Sequence, residues 1–239
     1  MRPYYQRAGI TLYLGDCREV LPRLTGEVDL LLTDPPYGVD ASTTGMRRKQ
    51  LALASLANDL PADRDLVLEG LALAWPRLAM DRHAYVFGPF DLAVLPQAGG
   101  IAELVWDKGG GFVGDTQSPW GKSHEAVQFA VRSSGTKGSR GGQLARIRRG
   151  SVLRHQRPSG RAVLHPTEKP VTLLRELVEI SSRHGELVLD PFVGSGSTLV
   201  AALLEGRRAI GIELDQAWCD VAVARLDALT KQASLFGET

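Results

Sequence analysis

The stretch "VLDPFVGSGSTLVAALLEGRRAIGIELD", Val188 to Asp215, decides the fold. An apolar strand ends on Asp190, the chain turns through Gly194, Ser195, Gly196 and Ser197, and a helix starts near Thr198. A second strand, Arg207–Asp215, carries Glu213 at its end. Short continuous apolar runs joined by a helix are the pattern of parallel strands buried on both faces.

The loop has a chemical reading as well as a structural one. Glycines let the backbone turn sharply and come close to a ligand. An acid ending the second strand can accept hydrogen bonds from both hydroxyls of a ribose. The full dinucleotide fingerprint is absent, because Leu199 stands where its third glycine would fall, and no Gly-Lys-Ser/Thr phosphate cradle is present. Asp190, just before the loop, would repel a phosphate and suits a cationic ligand, such as an ammonium group near a sulfonium. That favours S-adenosylmethionine over NAD or ATP. The bland reading is a glycine turn linking strand to helix; Asp190 before it and Glu213 after it argue for the ligand.

The same alternation continues outward. "QAWCDVAVARLDALTKQ" reads as a closing amphipathic helix, and "TEKPVTLLRELVEISSRHG" as a helix with Pro170 near its start and Gly185 as its stop. Upstream, "ITLYLGD" (Ile10–Asp16), "VDLLLTD" (Val28–Asp34), "HAYVFGP" (His83–Pro89), "IAELVWDK" and "EAVQFAVR" read as strands. "CREVLPRL" is a helical turn or two, and Leu51 to Met80 has helical spacing broken at Pro61 and Pro76. Strands alternating with helices predict a parallel α/β sheet covered on both faces.

Composition sets the outer limits. The chain has 239 residues, 44% hydrophobic and 23% charged, enough for one sizeable core. Its two cysteines, Cys17 and Cys219, give neither metal-ligand spacing nor a disulfide framework. The N-terminus lacks an apolar leader and no run is long enough to span a bilayer, so a soluble intracellular protein is expected. The net charge of +1 advertises no polyanion partner, but its distribution does. From Ala126 to Thr167 there is no Asp or Glu, while nine cations occur: Arg132, Lys137, Arg140, Arg146, Arg148, Arg149, Arg154, Arg157 and Arg161.

One further stretch, "LLTDPPYGVD" (Leu31–Asp40), runs an apolar strand into a carboxylate, two prolines and a tyrosine. Alone it could be a rigid turn. Together, "DPPY" and "DPFVGSGST" resemble the amino-group DNA methyltransferases, which act on exocyclic amines of adenine or cytosine. The order, catalytic tetrapeptide first and cofactor loop late, is similar to the permuted β-type arrangement. "LYLGDC", "SHEAVQFA" and "HPTEKP" (His165–Pro170) also match, so the resemblance runs from about Gly9 to Asp220.

The resemblance implies a Rossmann-like S-adenosylmethionine-dependent methyltransferase fold with a mixed seven-stranded sheet, circularly permuted, with a small basic target-recognition insertion. Residues 1–131 would form the catalytic half of the core, 132–161 the recognition segment and 162–239 the cofactor-binding half. Asp34, Pro35, Pro36 and Tyr37 would be catalytic. Asp16, Asp34, His165, Thr167, Lys169, Asp190, Phe192, Gly194, Ser195, Gly196, Ser197, Thr198 and Glu213 would hold the cofactor, with Asp16 at its adenine and "HPTEKP" against its methionine end. Arg140, Arg146, Arg148, Arg149, Arg154 and Arg157 would meet DNA phosphates, with Arg47, Arg48 and Lys49 as further candidates. No metal is called for. Double-stranded DNA is the implied partner, in a bacterial or phage-borne cytoplasmic setting that allows a homodimer and a cognate restriction enzyme.

The implied chemistry explains the tetrapeptide. An exocyclic amine is a poor nucleophile because its lone pair is delocalised into the ring. Asp34 can accept one N–H and the Pro35 carbonyl the other, which localises the pair and stabilises the charge that develops. Prolines fix φ and present no competing donor. Tyr37 offers a stacking face for the flipped base, worth about 1–3 kcal/mol. Asp at position 34 favours adenine; in this family a serine there is more typical of cytosine-N4 enzymes. Alternatives are cytosine-N4 transfer, a catalytically silent nucleic-acid-binding module, and methylation of RNA or of a protein glutamine. His83 and His184 are expected at the surface or at strand ends, Trp75, Trp106 and Trp218 in packing, and Glu125 outside the reacting centre.

Overall fold

The computed structural model describes residues 1–36, 64–110, 121, 123–136, 149–157 and 168–235. Tyr37, Arg47, Arg48, Lys49, Arg140, Arg146, Arg148, His165 and Thr167 lie outside the described residues.

The centre of the molecule follows from two apolar runs. Strand β3 (Val28–Thr33) and strand β8 (Leu187–Asp190) lie side by side and parallel, with Leu30 opposite Val188 and Leu31 opposite Leu189. All four are buried, as a strand covered on both faces requires. On one side, β8 runs through helix α4 (Ser197–Leu204) into parallel β9 (Arg208–Glu213). On the other, β3 leads by way of helix α2 (Arg64–Ala74) to parallel β4 (Leu78–Phe87). The two crossovers diverge from the β3–β8 pair, which makes it the topological switch point. In open α/β sheets that crevice, at the carboxyl ends of the strands, is where ligands bind.

The sheet is mixed and has nine strands, not the seven expected. β2 (Ile10–Leu14) continues the parallel set beside β9. β6 (His124–Arg132) runs antiparallel to β4, and β5 (Ala98–Asp107) antiparallel to β6. The two additional strands are the edges, β1 (Tyr5–Arg7) and β7 (Val152–Arg154), each of 3 residues. Three residues cannot display an alternation, so neither was visible in the sequence.

Period-two alternation builds a separate core on each face. Leu30, Leu32 and Val188 pack with α3 (Val171–Ser181), α4 and α5 (Gln216–Leu235) through Leu173, Leu177, Leu199 and Leu226. Leu31 and Leu189 face the opposite layer, where α1 (Cys17–Val20) and α2 contribute Cys17, Val20, Val67 and Leu71. Strands from both sides of the basic segment alternate in one sheet. No helix among the described residues is long and apolar enough to cross a membrane.

Several boundaries differ from expectation for local reasons. The helical spacing read from Leu51 to Met80 breaks at Pro76 as expected, the helix ending at Ala74, but the residues after the tight turn Trp75–Arg77 are strand, and β4 begins five residues before His83. His83 is therefore mid-strand and buried, its Nδ1 2.6 Å from Ser181 Oγ, and not at a strand end. α3 stops at Ser181, before Gly185, because Ser182 turns extended and its hydroxyl donates back to the Val178 carbonyl. Trp75 and Trp106 are packing residues, each donating its indole N–H to a backbone carbonyl, of Pro96 and His155.

Candidate active site

β3 releases the chain at Thr33, and Asp34, Pro35 and Pro36 follow immediately at the switch point. Thr33 Oγ1 donates to Asp190 Oδ1 at 2.7 Å, which ties the end of β3 to the end of β8. The amide of Phe192 donates to the same oxygen at 3.0 Å. Asp190 is buried, and desolvation pushes its carboxyl up to about 6; hydrogen bonds from Thr33, Thr198 and Phe192 pull the other way, and the Asp34 charge adds to the rise. Thr33 and Asp190, 157 residues apart, thus bring the two motifs together.

Lys169, expected among the cofactor contacts, reaches the tetrapeptide. Its ammonium lies 2.6 Å from Asp34 Oδ2 and 2.9 Å from Glu125 Oε1, and 5.1 Å from the centre of the Phe87 ring. Lys108 Nζ holds the other oxygen of Glu125 at 3.0 Å. Burial opposes the charge on Lys169, but the two carboxylates outweigh it and hold its pKa above the usual lysine value. Glu125, expected outside the reacting centre, is thus one residue removed from Asp34. Register explains the difference: β6 lies beside β4, so the side chain at the start of β6 reaches back toward the end of β3.

The glycine loop opens at the end of β8. Gly194 and Gly196 take φ of +52° and +86°, and a side chain at Gly196 would meet Ala222 of α5 at 2.8 Å. Around Gly194 a side chain would meet nothing within 4 Å, so the loop presents bare backbone to open space. Glu213 ends β9 beside it, its Oε2 accepting from the Gly194 amide at 2.7 Å and its Oε1 from Asp215 at 2.9 Å. Burial raises the Glu213 pKa, and these amides restrain the rise.

The loop's hydroxyls face the protein. Ser195 Oγ and Ser197 Oγ accept from Arg225 Nη1 at 3.0 and 3.1 Å, and the same nitrogen donates to the Ser195 carbonyl at 2.7 Å. Arg225 Nη2 pairs with Glu168 at 2.8 Å. α5, the "TEKP" segment and the glycine loop are thereby fastened at one point. Thr198 spends its hydroxyl on Asp190. Phe192 lies against α2, where the absence of a side chain at Gly70 admits its ring: a Cβ there would stand 2.9 Å from Phe192 Cζ.

Asp16 caps α1, accepting from the Arg18 amide at 2.8 Å and from Arg18 Nε at 3.0 Å, and that guanidinium holds its carboxyl below the usual range. It stands on the same edge as Glu213, because the Gly15 amide donates to the Glu213 carbonyl. Of the basic segment, Arg149 pairs with Glu176 and Glu179 of α3 at 3.6 and 3.7 Å, and Arg154 faces Asp107 at 3.8 Å. Both are solvent-exposed pairs of the weak kind.

Lys108, Glu125 as Lys169's partner, Thr33 and Arg225 were not singled out in the sequence. Glu125 carried one signal, as the last acid before the acid-free run.

Comparison with known proteins adds to this geometry. A family model described as DNA methylase (N6_N4_Mtase) matches residues 102–224, just over half of the chain. The type II methyltransferase M.ScaI of Streptomyces caespitosus is 23% identical over 279 aligned positions, covering 95% of this chain and 84% of that protein. The DNA adenine methyltransferase YhdJ of Escherichia coli is 44% identical over 63 residues, which are 26% of this chain and 21% of YhdJ. Among solved structures, an M1.HpyAVI–SAM complex superposes with a TM-score of 0.65 at 21% identity, covering 91% of this chain and 98% of that one. The cytosine-N4-specific PvuII DNA methyltransferase superposes at 0.67 with 16% identity, covering 94% and 88%. With the family match running from within β5 to within α5, across the glycine loop, this chain belongs to the DNA methylase family of N6 and N4 enzymes.

Proposed function

We propose that the chain is a site-specific DNA methyltransferase that transfers a methyl group from S-adenosylmethionine to the N6 amine of adenine. The observation that carries this reading is the meeting of the "DPP" and "DPFVGSGS" segments at the switch point, bound through Thr33 and Asp190.

The residues present suit the cofactor. Bare backbone at Gly194, a buried carboxylate at Asp190 and strand-end acids at Glu213 and Asp16 make a site for a ribose and a cation, not for a phosphate. When bound, the cofactor supplies an electrophilic methyl group on a sulfonium. The chain supplies the rest. Asp34 accepts one amine N–H of a flipped base and the Pro35 carbonyl the other, and both stabilise the positive charge that grows on nitrogen. Much of the rate gain is positioning, since amine and methyl are presented in line. Tyr37 provides the stacking face. Arg140, Arg146, Arg148, Arg149, Arg154 and Arg157 supply phosphate contacts, and the exposed pairs of Arg149 and Arg154 cost little to exchange for phosphate.

Adenine is favoured by Asp at position 34 and by the match to YhdJ; cytosine-N4 is the second reading, favoured by the likeness to the PvuII enzyme. Expression in a methylation-free host, followed by methylation-aware sequencing and nucleoside mass analysis, decides between them. N6-methyladenine at one recurring sequence is expected. N4-methylcytosine selects the second reading, and unmodified DNA rejects both.

A further inference from the structure

Resting on the reading above, we propose that the Lys169 ammonium occupies the place of the target amine in the ligand-free protein, and that Glu125 is the positioning residue that takes it back when the base arrives. An ammonium N–H and an amine N–H are the same kind of donor, and Asp34 Oδ2 holds the former at 2.6 Å. Lys169 is the buried member of this pair, its side chain 5% exposed against 25% for Asp34, and a buried ammonium needs a carboxylate partner while no base is present. The same cation is a liability during transfer, because it spends an acceptor and opposes the charge developing on the amine.

The four charges resolve that conflict. Lys169 is shared between Asp34 at 2.6 Å and Glu125 at 2.9 Å. Loss of one partner leaves it still paired, so release from Asp34 does not leave the buried ammonium alone. Lys108 at 3.0 Å fixes the second oxygen of Glu125, and the ring of Phe87 offers its face to Lys169. No proton or bond changes hands in this step; one hydrogen bond at Asp34 is exchanged for another.

The test is a double-mutant cycle on the full chain, with Glu125→Gln and Lys169→Met alone and combined. The substrate is a duplex bearing the site that the wild type methylates, with 2-aminopurine beside the target base to report its eversion. Glu125→Gln leaves Lys169 with Asp34 alone, so kcat is expected to fall at least about tenfold, with a smaller fluorescence rise and cofactor Kd within about threefold. Removal of the competing cation should reverse this: Glu125→Gln/Lys169→Met is expected to be at least about threefold faster than Glu125→Gln. Against a Lys169→Met background, Glu125→Gln should change kcat less than about threefold, a comparison that stands even where the single Gln variant does not fold. Wild-type turnover in Glu125→Gln, or the same loss in the Met background, overturns the proposal. A wild type that methylates no DNA defeats the underlying reading instead.

Discussion

Asp190 is the residue at which stability and function pull apart. Its folded-state pKa of about 6 stands above the ordinary value of 3.8, so the folded protein holds this proton more tightly than the unfolded chain. The associated stability is present in full below pH about 4 and lost as pH climbs through about 6, a span worth about 3 kcal/mol. Asp190→Asn is expected to flatten that slope and to stabilise the ligand-free protein by about 1–3 kcal/mol at pH 7, read by urea unfolding at pH 5 and 7. The same variant should bind S-adenosylmethionine more weakly. In the wild type, affinity should rise between pH 5 and 7 as the carboxylate forms; a flat profile would remove Asp190 from the site. Asp34, Asp190 and Glu213 were legible because each ends an apolar strand, where a buried-strand pattern gives way to an acid. The Lys169–Glu125 pair was not, because it depends on which strand lies beside which, and spacing along the chain says nothing of that.

Among elements, the fastening of the glycine loop matters most. Arg225 of α5 donates to the loop and pairs with Glu168 in a nearly enclosed position, their side chains 16% and 6% exposed. Arg225→Met would remove the guanidinium that neutralises the enclosed Glu168 carboxylate, which should cost about 3 kcal/mol or more in unfolding free energy. It should also weaken cofactor binding, because Ser195 and Ser197 lose the group that sets the loop. Unchanged affinity in a folded variant would show that the loop holds its shape without α5. The interior strands could be read because burial on both faces writes an unbroken apolar run. β1 and β7 could not, and the start of β4 was hidden in a sequence with helical spacing. There a proline turn, and not the periodicity, sets the boundary.

At the scale of the molecule, a net charge of +1 conceals a long segment without acids. If its arginines meet phosphates, DNA affinity should fall as salt rises, linearly in log–log form. Arg154, 77% exposed, is paired only loosely, and Arg154→Ala is expected to reduce that slope by about one without altering the methylated sequence. An unchanged slope would make it a surface residue only. The parallel centre of the sheet was legible in the alternation of strands and helices, whereas the antiparallel pairing of β5 and β6 was not. The meeting of two distant loops at its switch point is not written in spacing along the chain, and the Thr33–Asp190 bond gives it a physical basis. The most direct test is Asp34→Ala, followed by calorimetric titration of S-adenosylmethionine and single-turnover methyl transfer on the same preparation. Transfer should drop by about 10²–10³ or more while the cofactor Kd stays within a few-fold. Transfer at the wild-type rate, or loss of cofactor binding together with transfer, would contradict the role given to Asp34.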